Sequence, residues 1–311
     1  MGNDTDQRAE ARRQWNWFKV VARSAILFGL LITVTSALVT GCSERLFFYP
    51  DRGEFETPDN AEDVYFENAD GLTLHGWWIP PRGATPGERV PAVLHTHGNA
   101  FNIARHIELC EFLSNAGIGV FLFDYRSYGR SERGKLNRES VVADADAALD
   151  TLLARDDVDP DRVGMYGLSL GGAVALTLSP DRPELKAVAA VAPFSSWQDV
   201  ASDHVPWIAS LLIHDGTDPI EKIVDLGDRP LLLVHGEADS VVRPYHTERI
   251  EAAAREAGID VERKTFPDLT HVDPAVVANG RAVITEFFVE HLGVEQPSLP
   301  ATGAGSPTPT E

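Results

Sequence analysis

The sequence is short of cysteine and of positive charge, and each shortage excludes a class of protein. Only two of its 311 residues are cysteines, so a framework of disulfide bonds is excluded. The net charge is −20, with 27 lysines and arginines against 47 aspartates and glutamates. A protein that follows nucleic-acid phosphates needs a basic face, and we therefore expect no DNA or RNA partner.

The two cysteines lie in different contexts and are predicted to have different roles. Cys110 falls in an apolar helical pattern, which indicates a small buried core residue. Cys42 follows a basic segment and then an uncharged run over 24–41 that ends in small residues, which is the order of an export signal. The ending resembles a bacterial lipoprotein box, which implies lipidation of Cys42. An uncleaved signal anchor is the alternative, because about 18 apolar residues also reach the lower limit for spanning a bilayer.

Both forms of this N-terminal segment predict attachment to a membrane. The basic flank stays inside, so the body of the chain is expected outside the cytoplasm, in a bacterial cell envelope. We expect residues 1–41 to be the signal peptide or anchor and 42–60 to be a tether that partly docks on the body. Residues 294–311 are predicted to be a disordered tail, because they contain almost no apolar bulk. We expect a monomer.

From Val64 onward, apolar runs alternate with helical patterns, which is typical of an α/β domain. The predicted strands are 64–68, 72–79, 90–96, 119–124, 162–166, 187–191, 230–235 and 261–266. The predicted helices are 103–115, 140–155, 172–178, 244–257 and 274–291. Several of the strands are continuous apolar runs, as expected where both faces of a sheet are covered. The pattern therefore predicts a mostly parallel eight-stranded sheet with helices on both faces, whose first two strands form a hairpin.

The segment 194–225 interrupts this alternation. It is too apolar for a solvated loop and too short for a domain, so we predict a small cap over the carboxyl edge of the sheet. The domain that carries the cap is predicted to span 61–293. Five apolar side chains are expected to line an uncharged pocket under the cap, namely Phe101, Phe194, Trp197, Trp207 and Leu211.

The stretch Gly167-Leu168-Ser169-Leu170-Gly171 lies between a predicted strand and a predicted helix. That context is the one a Gly-x-Ser-x-Gly nucleophile elbow requires, because a sharp turn must lift the serine hydroxyl into a cleft. The alternative is a glycine-rich turn in which Ser169 only caps the helix. A candidate histidine base and a candidate acid, described next, favour the nucleophile elbow over the helix cap.

A serine nucleophile needs a base, and that base needs an acceptor that holds its tautomer. Asp239 follows one predicted strand and His271 follows the next, so both are expected at the carboxyl edge of the sheet with Ser169. Rivals remain for both positions: Glu237 and Asp268 for the acid, and His204, His214 and His246 for the base. Structural roles are expected for His75, His95, His106 and His235.

Negative charge develops on the carbonyl oxygen of the substrate, so backbone donors must already point toward it. His97-Gly98-Asn99 places a strand end and a glycine before a predicted helix, and the Asn99 N–H is predicted to supply one donor. The Leu170 N–H, next to the nucleophile, is predicted to supply the second. An ordinary strand-to-helix turn is the alternative for His97-Gly98, and it is compatible with the same role.

Five motifs, in this order, resemble the α/β-hydrolase superfamily. They are His97 to Ala100, Phe123 to Ser131, Gly167 to Gly172, His235 to Asp239 and Thr270 to Asp273. They most resemble the bud-emergence-type group, which is similar to protein depalmitoylases and lysophospholipases. The resemblance covers about residues 45–293. Ser127 stands where the group usually has glycine, and Val272 where it often has asparagine.

This resemblance implies an α/β-hydrolase fold with Ser169, Asp239 and His271 as catalytic residues, and Asn99 and Leu170 as the oxyanion hole. We therefore expect a membrane-tethered serine hydrolase that cleaves carboxylic ester or thioester bonds in small or lipid-like acyl substrates. No metal and no cofactor are expected.

Two other functions are compatible with the same residues. A serine exopeptidase would need a charged anchor for a peptide terminus, which Asp218 or Glu221 in the cap would supply. A lipid-anchored scaffold without activity is disfavoured, because the three triad residues are all present.

Overall fold

A computed structural model of the chain describes residues 48–85, 87–206, 216–271 and 274–294, without the side chains of 274–279. Its strands are β1 Tyr49–Pro50, β2 Glu62–Glu67, β3 Thr73–Ile79, β4 Val90–Thr96, β5 Ala100–Phe101, β6 Gly119–Asp124, β7 Val158–Leu168, β8 Leu185–Val191, β9 Leu231–Gly236 and β10 Val261–Phe266. Its helices are α1 Ile103–His106, α2 Arg138–Leu153, α3 Leu170–Leu178, α4 Trp197–His204, α5 Pro219–Ile223, α6 Tyr245–Glu256 and α7 Pro274–His291. The predicted signal segment, Cys42 and the predicted tail beyond Val294 lie outside the described residues.

Eight of these strands form one sheet in the order β10, β9, β8, β7, β4, β6, β3, β2. The six strands from β10 to β6 in that order run parallel. β3 is antiparallel to both β6 and β2, so β2 and β3 form the predicted hairpin. The prediction of a mostly parallel eight-stranded sheet is confirmed.

The core lies on both faces of this sheet, as predicted. All seven residues of β4 are buried, and neighbours along it point to opposite faces. Leu94 packs in the cluster that contains Val141 of α2, whereas Val93 packs in the cluster that contains Phe288 of α7. Each such large side chain stabilises the fold by about 1.5–3 kcal/mol when it is fully buried. Cys110 is fully buried in the second cluster, in agreement with its predicted role.

The predicted helix over 103–115 is wrong in type. Only α1 is α-helical, and 3-10 turns over Ile107–Leu109 and Glu111–Ala116 follow it. Cys110 interrupts the helical path at φ −137°, ψ −26°. Turns of both kinds bring residues three or four positions apart to one face, so the apolar spacing alone does not distinguish them.

The predicted cap follows β8 and precedes β9. Its described parts are α4 and α5, with residues 207–215 between them outside the described part. α4 begins after Ser196, whose hydroxyl accepts a hydrogen bond from the Asp199 N–H at 3.3 Å. Of the helices that the structure describes, none has the length and apolar character needed to cross a membrane.

The first described residues, Phe48 to Pro50 of the predicted tether, lie against the sheet's carboxyl edge. β1 pairs in parallel with β5, with Tyr49 opposite Ala100 and Pro50 opposite Phe101. Phe48 is only 4% exposed and its ring lies 6.3 Å from that of Trp197 in α4. β1 therefore connects the loop after β4 with the cap.

Candidate active site

Ser169 lies at the sharp turn between β7 and α3. Its backbone has φ 54° and ψ −114°, a region that non-glycine residues rarely adopt. Two hydrogen bonds hold this conformation: the Ser169 N–H donates to Val191 O at 2.8 Å, and the Ser169 carbonyl accepts from the Ala173 N–H at 3.0 Å. Backbone strain of this kind clusters at active sites, so the turn supports the prediction of a functional role for Ser169.

The glycines beside Ser169 allow the backbone to pass closely at this turn. A Cβ at Gly167 would lie 2.1 Å from Gly171 O, and one at Gly171 would lie 1.9 Å from Thr96 O. The Thr96 hydroxyl also donates to Gly171 O at 2.8 Å. The elbow therefore lies directly against the end of β4, where any side chain in place of these glycines would force strand and helix apart.

The structure brings Ser169, His271 and Asp239 together in one hydrogen-bonded chain. His271 Nε2 lies 2.8 Å from Ser169 Oγ, and His271 Nδ1 lies 2.7 Å from Asp239 Oδ2. A carboxylate only accepts, so Nδ1 carries the proton and Nε2 is free to accept from the serine hydroxyl. This is the geometry of a serine nucleophile with its base and orienting acid.

Asp239 is buried and held from several sides. Its Oδ1 accepts from the N–H groups of Val241 and Val242 at 2.8 and 2.9 Å. Burial acts to raise its pKa, but hydrogen bonds from His235 and His271 outweigh burial and leave the pKa well below its ordinary value. Asp239 is therefore an ionised acceptor at neutral pH.

His235, for which the sequence pattern predicted a structural role, contacts Asp239. It is fully buried at the end of β9, and its Nε2 lies 2.9 Å from Val242 O and 3.1 Å from Asp239 Oδ2. The Val242 carbonyl only accepts, so Nε2 carries the proton, and Nδ1 accepts from the Thr247 hydroxyl. The signal available in the sequence is its position four residues before Asp239 at a strand end, which by itself also fits a structural histidine.

No hydrogen bond joins Ser169 to any of the rival acids and bases that lie in the described part of the chain. Glu237 and Asp268 are exposed, and Glu237 accepts instead from the Thr265 hydroxyl at 2.8 Å. His204 is bonded to Val241 O at 2.9 Å. His246 contacts Ser195 and Asp203, and His214 lies outside the described residues.

The two predicted oxyanion donors lie on neighbouring elements. Thr96 of β4 pairs with Gly167 of β7, so the loops that carry Asn99 and Ser169 leave the sheet at the same level. Leu170 is the first residue of α3, where a backbone N–H has no preceding helical carbonyl as partner. The assignment of Asn99 and Leu170 as oxyanion donors therefore stays a prediction, based on these positions at the end of β4 and the start of α3.

The predicted pocket residues fall in three groups. Phe194 and Trp197 are buried together, with ring centroids 4.8 Å apart in an edge-to-face arrangement. Phe101 is 51% exposed, at φ 70°. Trp207 and Leu211 lie outside the described residues.

The comparisons with known proteins agree with this architecture. A sequence profile of the prolyl oligopeptidase family matches residues 110–295. The chain is 33% identical to protein YfhR of Salmonella typhi over 268 residues, which are 82% of this chain and 89% of that protein. It is 27% identical to protein bem46 of Schizosaccharomyces pombe over 74% of this chain and 77% of the relative. An esterase of Pyrococcus furiosus is similar in structure, with a TM-score of 0.67 and 19% identity over 79% of this chain and 99% of that one.

The extent of these matches decides the family. The profile covers more than half of the chain, and YfhR is matched over most of its own length. The structural likeness to the esterase confirms the expected fold. The chain therefore belongs to the prolyl oligopeptidase family and has the α/β-hydrolase fold.

Proposed function

We propose that this chain is a serine hydrolase that cleaves carboxylic esters or thioesters through an acyl-enzyme on Ser169. The hydrogen-bonded chain from Ser169 Oγ through His271 to Asp239, with its distances of 2.8 and 2.7 Å, carries this proposal. Family membership supports hydrolytic chemistry, and the ionised Asp239 supports a base that is held in the correct tautomer.

The reaction begins with transfer of the Ser169 hydroxyl proton to His271 Nε2 as Oγ attacks the carbonyl carbon of the substrate. The carbonyl oxygen becomes negative and is stabilised by the N–H groups of Asn99 and Leu170. When the intermediate collapses, the bond to the leaving oxygen or sulfur breaks and His271 donates its proton to that atom. Water then attacks the acyl-enzyme with His271 again as base, and the proton returns to Ser169 as the acid is released.

We propose that the acyl group of the substrate is apolar and binds in the predicted pocket under the cap. Phe194, Trp197 and Phe48 form a buried aromatic cluster next to the sheet's carboxyl edge, which supports an apolar environment there. The similarity to the Pyrococcus furiosus esterase supports an ester as substrate, and the similarity to bem46 supports a place in the bud-emergence-type group.

A serine exopeptidase is the second candidate, because the family is named for peptidases. Its charged anchor would come from Asp218 or Glu221. Asp218 Oδ1, however, accepts from the Trp197 N–H at 2.9 Å and so stabilises the start of α4. Glu221 is exposed within the short helix α5. The contact at Asp218 makes that residue a poor anchor for a peptide terminus, so of the two candidates Glu221 is the one that an exopeptidase would use.

Hydrolysis of p-nitrophenyl esters of graded chain length by the detergent-solubilised full chain tests the proposal. We expect esters to be cleaved and aminoacyl p-nitroanilides to be cleaved far more slowly. Phe101→Ala is expected to raise KM for long-chain esters about fivefold, because about 1 kcal/mol of apolar contact is lost, and to leave the acetate ester unaffected. Tyr65→Ala, which removes a similarly exposed aromatic side chain on β2, is the matched control.

The outcome for the two substrate classes decides between the candidates. Preferential cleavage of the anilides would replace the esterase by the exopeptidase. An equal rise in KM for acetate and for long-chain esters in Phe101→Ala would remove Phe101 from the acyl pocket.

We also propose that the chain is attached to a membrane in a bacterial cell envelope through lipidation of Cys42, with the catalytic domain outside the cytoplasm. The apolar run over 24–41 that ends at this cysteine supports the proposal. Metabolic labelling with an alkyne fatty acid is expected to mark the wild-type chain and Cys110→Ala, and to be lost in Cys42→Ala. An unlabelled wild-type chain that still sediments with membranes would indicate the signal anchor instead.

A further inference from the structure

Asn99 is held in place from two sides. The Tyr128 hydroxyl lies 2.7 Å from the Asn99 backbone carbonyl oxygen and 3.1 Å from Asn99 Oδ1. The backbone N–H of Tyr49 in β1 donates to Asn99 Oδ1 at 3.2 Å. Both the main chain and the side chain of Asn99 are therefore fixed by residues distant in the sequence.

The peptide group that contains the Asn99 N–H is fixed at its other edge. Its carbonyl, Gly98 O, lies 2.7 Å from His97 Nδ1, which must donate because a carbonyl only accepts. Tyr125 donates to His97 O at 3.2 Å, so the preceding peptide is held as well. Because the N–H and C=O of one peptide group point in opposite directions, these bonds determine where the Asn99 N–H points.

The loop after β6, which carries Tyr128, is held in one conformation by its own backbone and side-chain contacts. Ser127 has φ 72° and Gly129 has φ 43°, and a Cβ at Gly129 would lie 1.8 Å from Asp124 Oδ2. The Ser131 hydroxyl closes the loop by donating to Asp124 O at 2.6 Å. Tyr128 is fully buried, and burial raises the pKa of its phenol, so the hydroxyl remains a donor throughout the working pH range.

We infer that Tyr128 is a positioning residue for the reaction, whose hydroxyl holds Asn99 so that the backbone N–H of Asn99 stabilises the oxyanion. The inference rests on the proposed function, because it takes Asn99 as an oxyanion donor. Tyr128 does not touch the substrate; it acts through the Asn99 carbonyl. The backbone N–H of Tyr49 in β1 supports the same residue, because it donates to the Asn99 Oδ1 atom that the Tyr128 hydroxyl also contacts.

This role predicts a particular kinetic signature. A donor that points at the oxyanion contributes mainly in the transition state, so its misplacement lowers kcat and leaves substrate binding almost unchanged. We expect Tyr128→Phe to lower kcat on the order of 10- to 100-fold, below the effect of deleting a donor outright. KM is expected to change by less than about twofold.

The experiment compares Tyr128→Phe with Tyr166→Phe in the full chain. Tyr166 is also fully buried, but its hydroxyl has no hydrogen-bond partner among the described residues, so its removal is expected to leave kcat unchanged. The readouts are kcat and KM for p-nitrophenyl butyrate and the affinity for a trifluoromethyl ketone, which forms an oxyanion on Ser169. The ketone affinity is expected to fall in parallel with kcat/KM in Tyr128→Phe.

A second pair of variants tests the support from β1 without altering a buried side chain. The Tyr49 side chain is 62% exposed, and the backbone N–H of Tyr49 donates to Asn99 Oδ1. Tyr49→Pro removes that N–H and is expected to lower kcat several-fold, whereas Tyr49→Ala keeps it and is expected to match the wild type.

The possible outcomes separate the inference from the proposed function. Full kcat and ketone affinity in Tyr128→Phe, or equal losses in Tyr128→Phe and Tyr166→Phe, would overturn the inference and leave the hydrolase intact. A folded wild-type chain that cleaves no ester and does not bind the ketone would overturn both.

Discussion

Replacing Ser169 by alanine is expected to lower kcat for ester hydrolysis on the order of 10⁶-fold, because the variant has no nucleophile to form the acyl-enzyme. Covalent labelling by a fluorophosphonate probe is expected to disappear completely. The measurement is probe labelling of the detergent-solubilised full chain, followed by steady-state kinetics with p-nitrophenyl butyrate.

The molecule contains a matched control for this substitution. Ser195 Oγ lies 2.9 Å from His246 Nδ1, and His246 Nε2 lies 3.2 Å from Asp203 Oδ2, which repeats the serine, histidine and aspartate arrangement. Ser195 and His246 are fully buried, so a substrate carbonyl cannot reach this second chain. Its location between the start of the cap and α6 indicates that it anchors α4.

Ser195→Ala is therefore expected to keep both probe labelling and kcat. The Ser195 N–H still donates to His246 Nδ1 at 3.2 Å, so the loss of stability is expected to be only about 0.5–1.5 kcal/mol, the net contribution of one hydrogen bond. Labelling that persists in Ser169→Ala and disappears in Ser195→Ala would place the nucleophile under the cap and contradict the proposed mechanism. Thermal unfolding of both variants separates a lost nucleophile from a lost fold.

The sheet was predictable because its strands are apolar runs bounded by turn residues. The bounds of β4, β6 and β10 agree with prediction residue for residue, and β7 is longer than predicted at both ends. The additional part of β7 begins at Val158 and contains Asp159, Pro160 and Asp161, which are not typical of a strand. Its pairing with β4 includes an irregularity between Val90 and Ala92, a tertiary feature without a local signal.

The triad was predictable for a related reason, since the carboxyl ends of parallel strands meet at one edge of the sheet. Ser169, Asp239 and His271 each follow a strand directly or within one loop, and the structure places them within hydrogen-bonding distance. Contacts between loops, in contrast, were not predictable from the sequence pattern. The approach of Tyr128 to Asn99 depends on how the loop after β6 folds over the end of β4, which strand spacing does not encode.

The partners of the buried histidines were likewise not predictable from the sequence pattern. His75 is paired with Asp63 and His106 with Ala100 O, in line with structural roles. His95 differs, because neither ring nitrogen has a hydrogen-bond partner among the described residues. Burial lowers its pKa to about 3, so the ring is neutral. His235, which is likewise the last residue but one of its strand, instead contacts Asp239 of the candidate active site.

Asp239→Asn is expected to lower kcat on the order of 10⁴-fold while the fold remains intact. The asparagine carbonyl can replace Oδ1 and still accept from Val241 and Val242, but an NH₂ group then faces His271 Nδ1. Two donors cannot share that contact, so His271 adopts the tautomer with its proton on Nε2. Such a ring cannot accept the Ser169 proton.

Asp203→Asn is the matched control, because Asp203 holds His246 at 3.2 Å as Asp239 holds His271 at 2.7 Å. We expect Asp203→Asn to retain kcat within a few-fold of the wild type. Equal losses of kcat in Asp203→Asn and Asp239→Asn would show that the effect comes from general loosening of the fold and not from the tautomer of His271.

Asp239→Asn is also expected to change how the free energy of unfolding depends on pH. The pKa of Asp239 is lowered in the folded protein, whereas an unfolded aspartate has a pKa of about 3.9. The stabilisation from its ionised form is therefore complete above the unfolded value and is lost as the pH falls from there through the lowered pKa. Urea unfolding at pH 7 and pH 3 should show a smaller drop in unfolding free energy for Asp239→Asn than for the wild type. An identical drop would mean that Asp239 titrates alike in both states, and that His235 and His271 do not stabilise its charge.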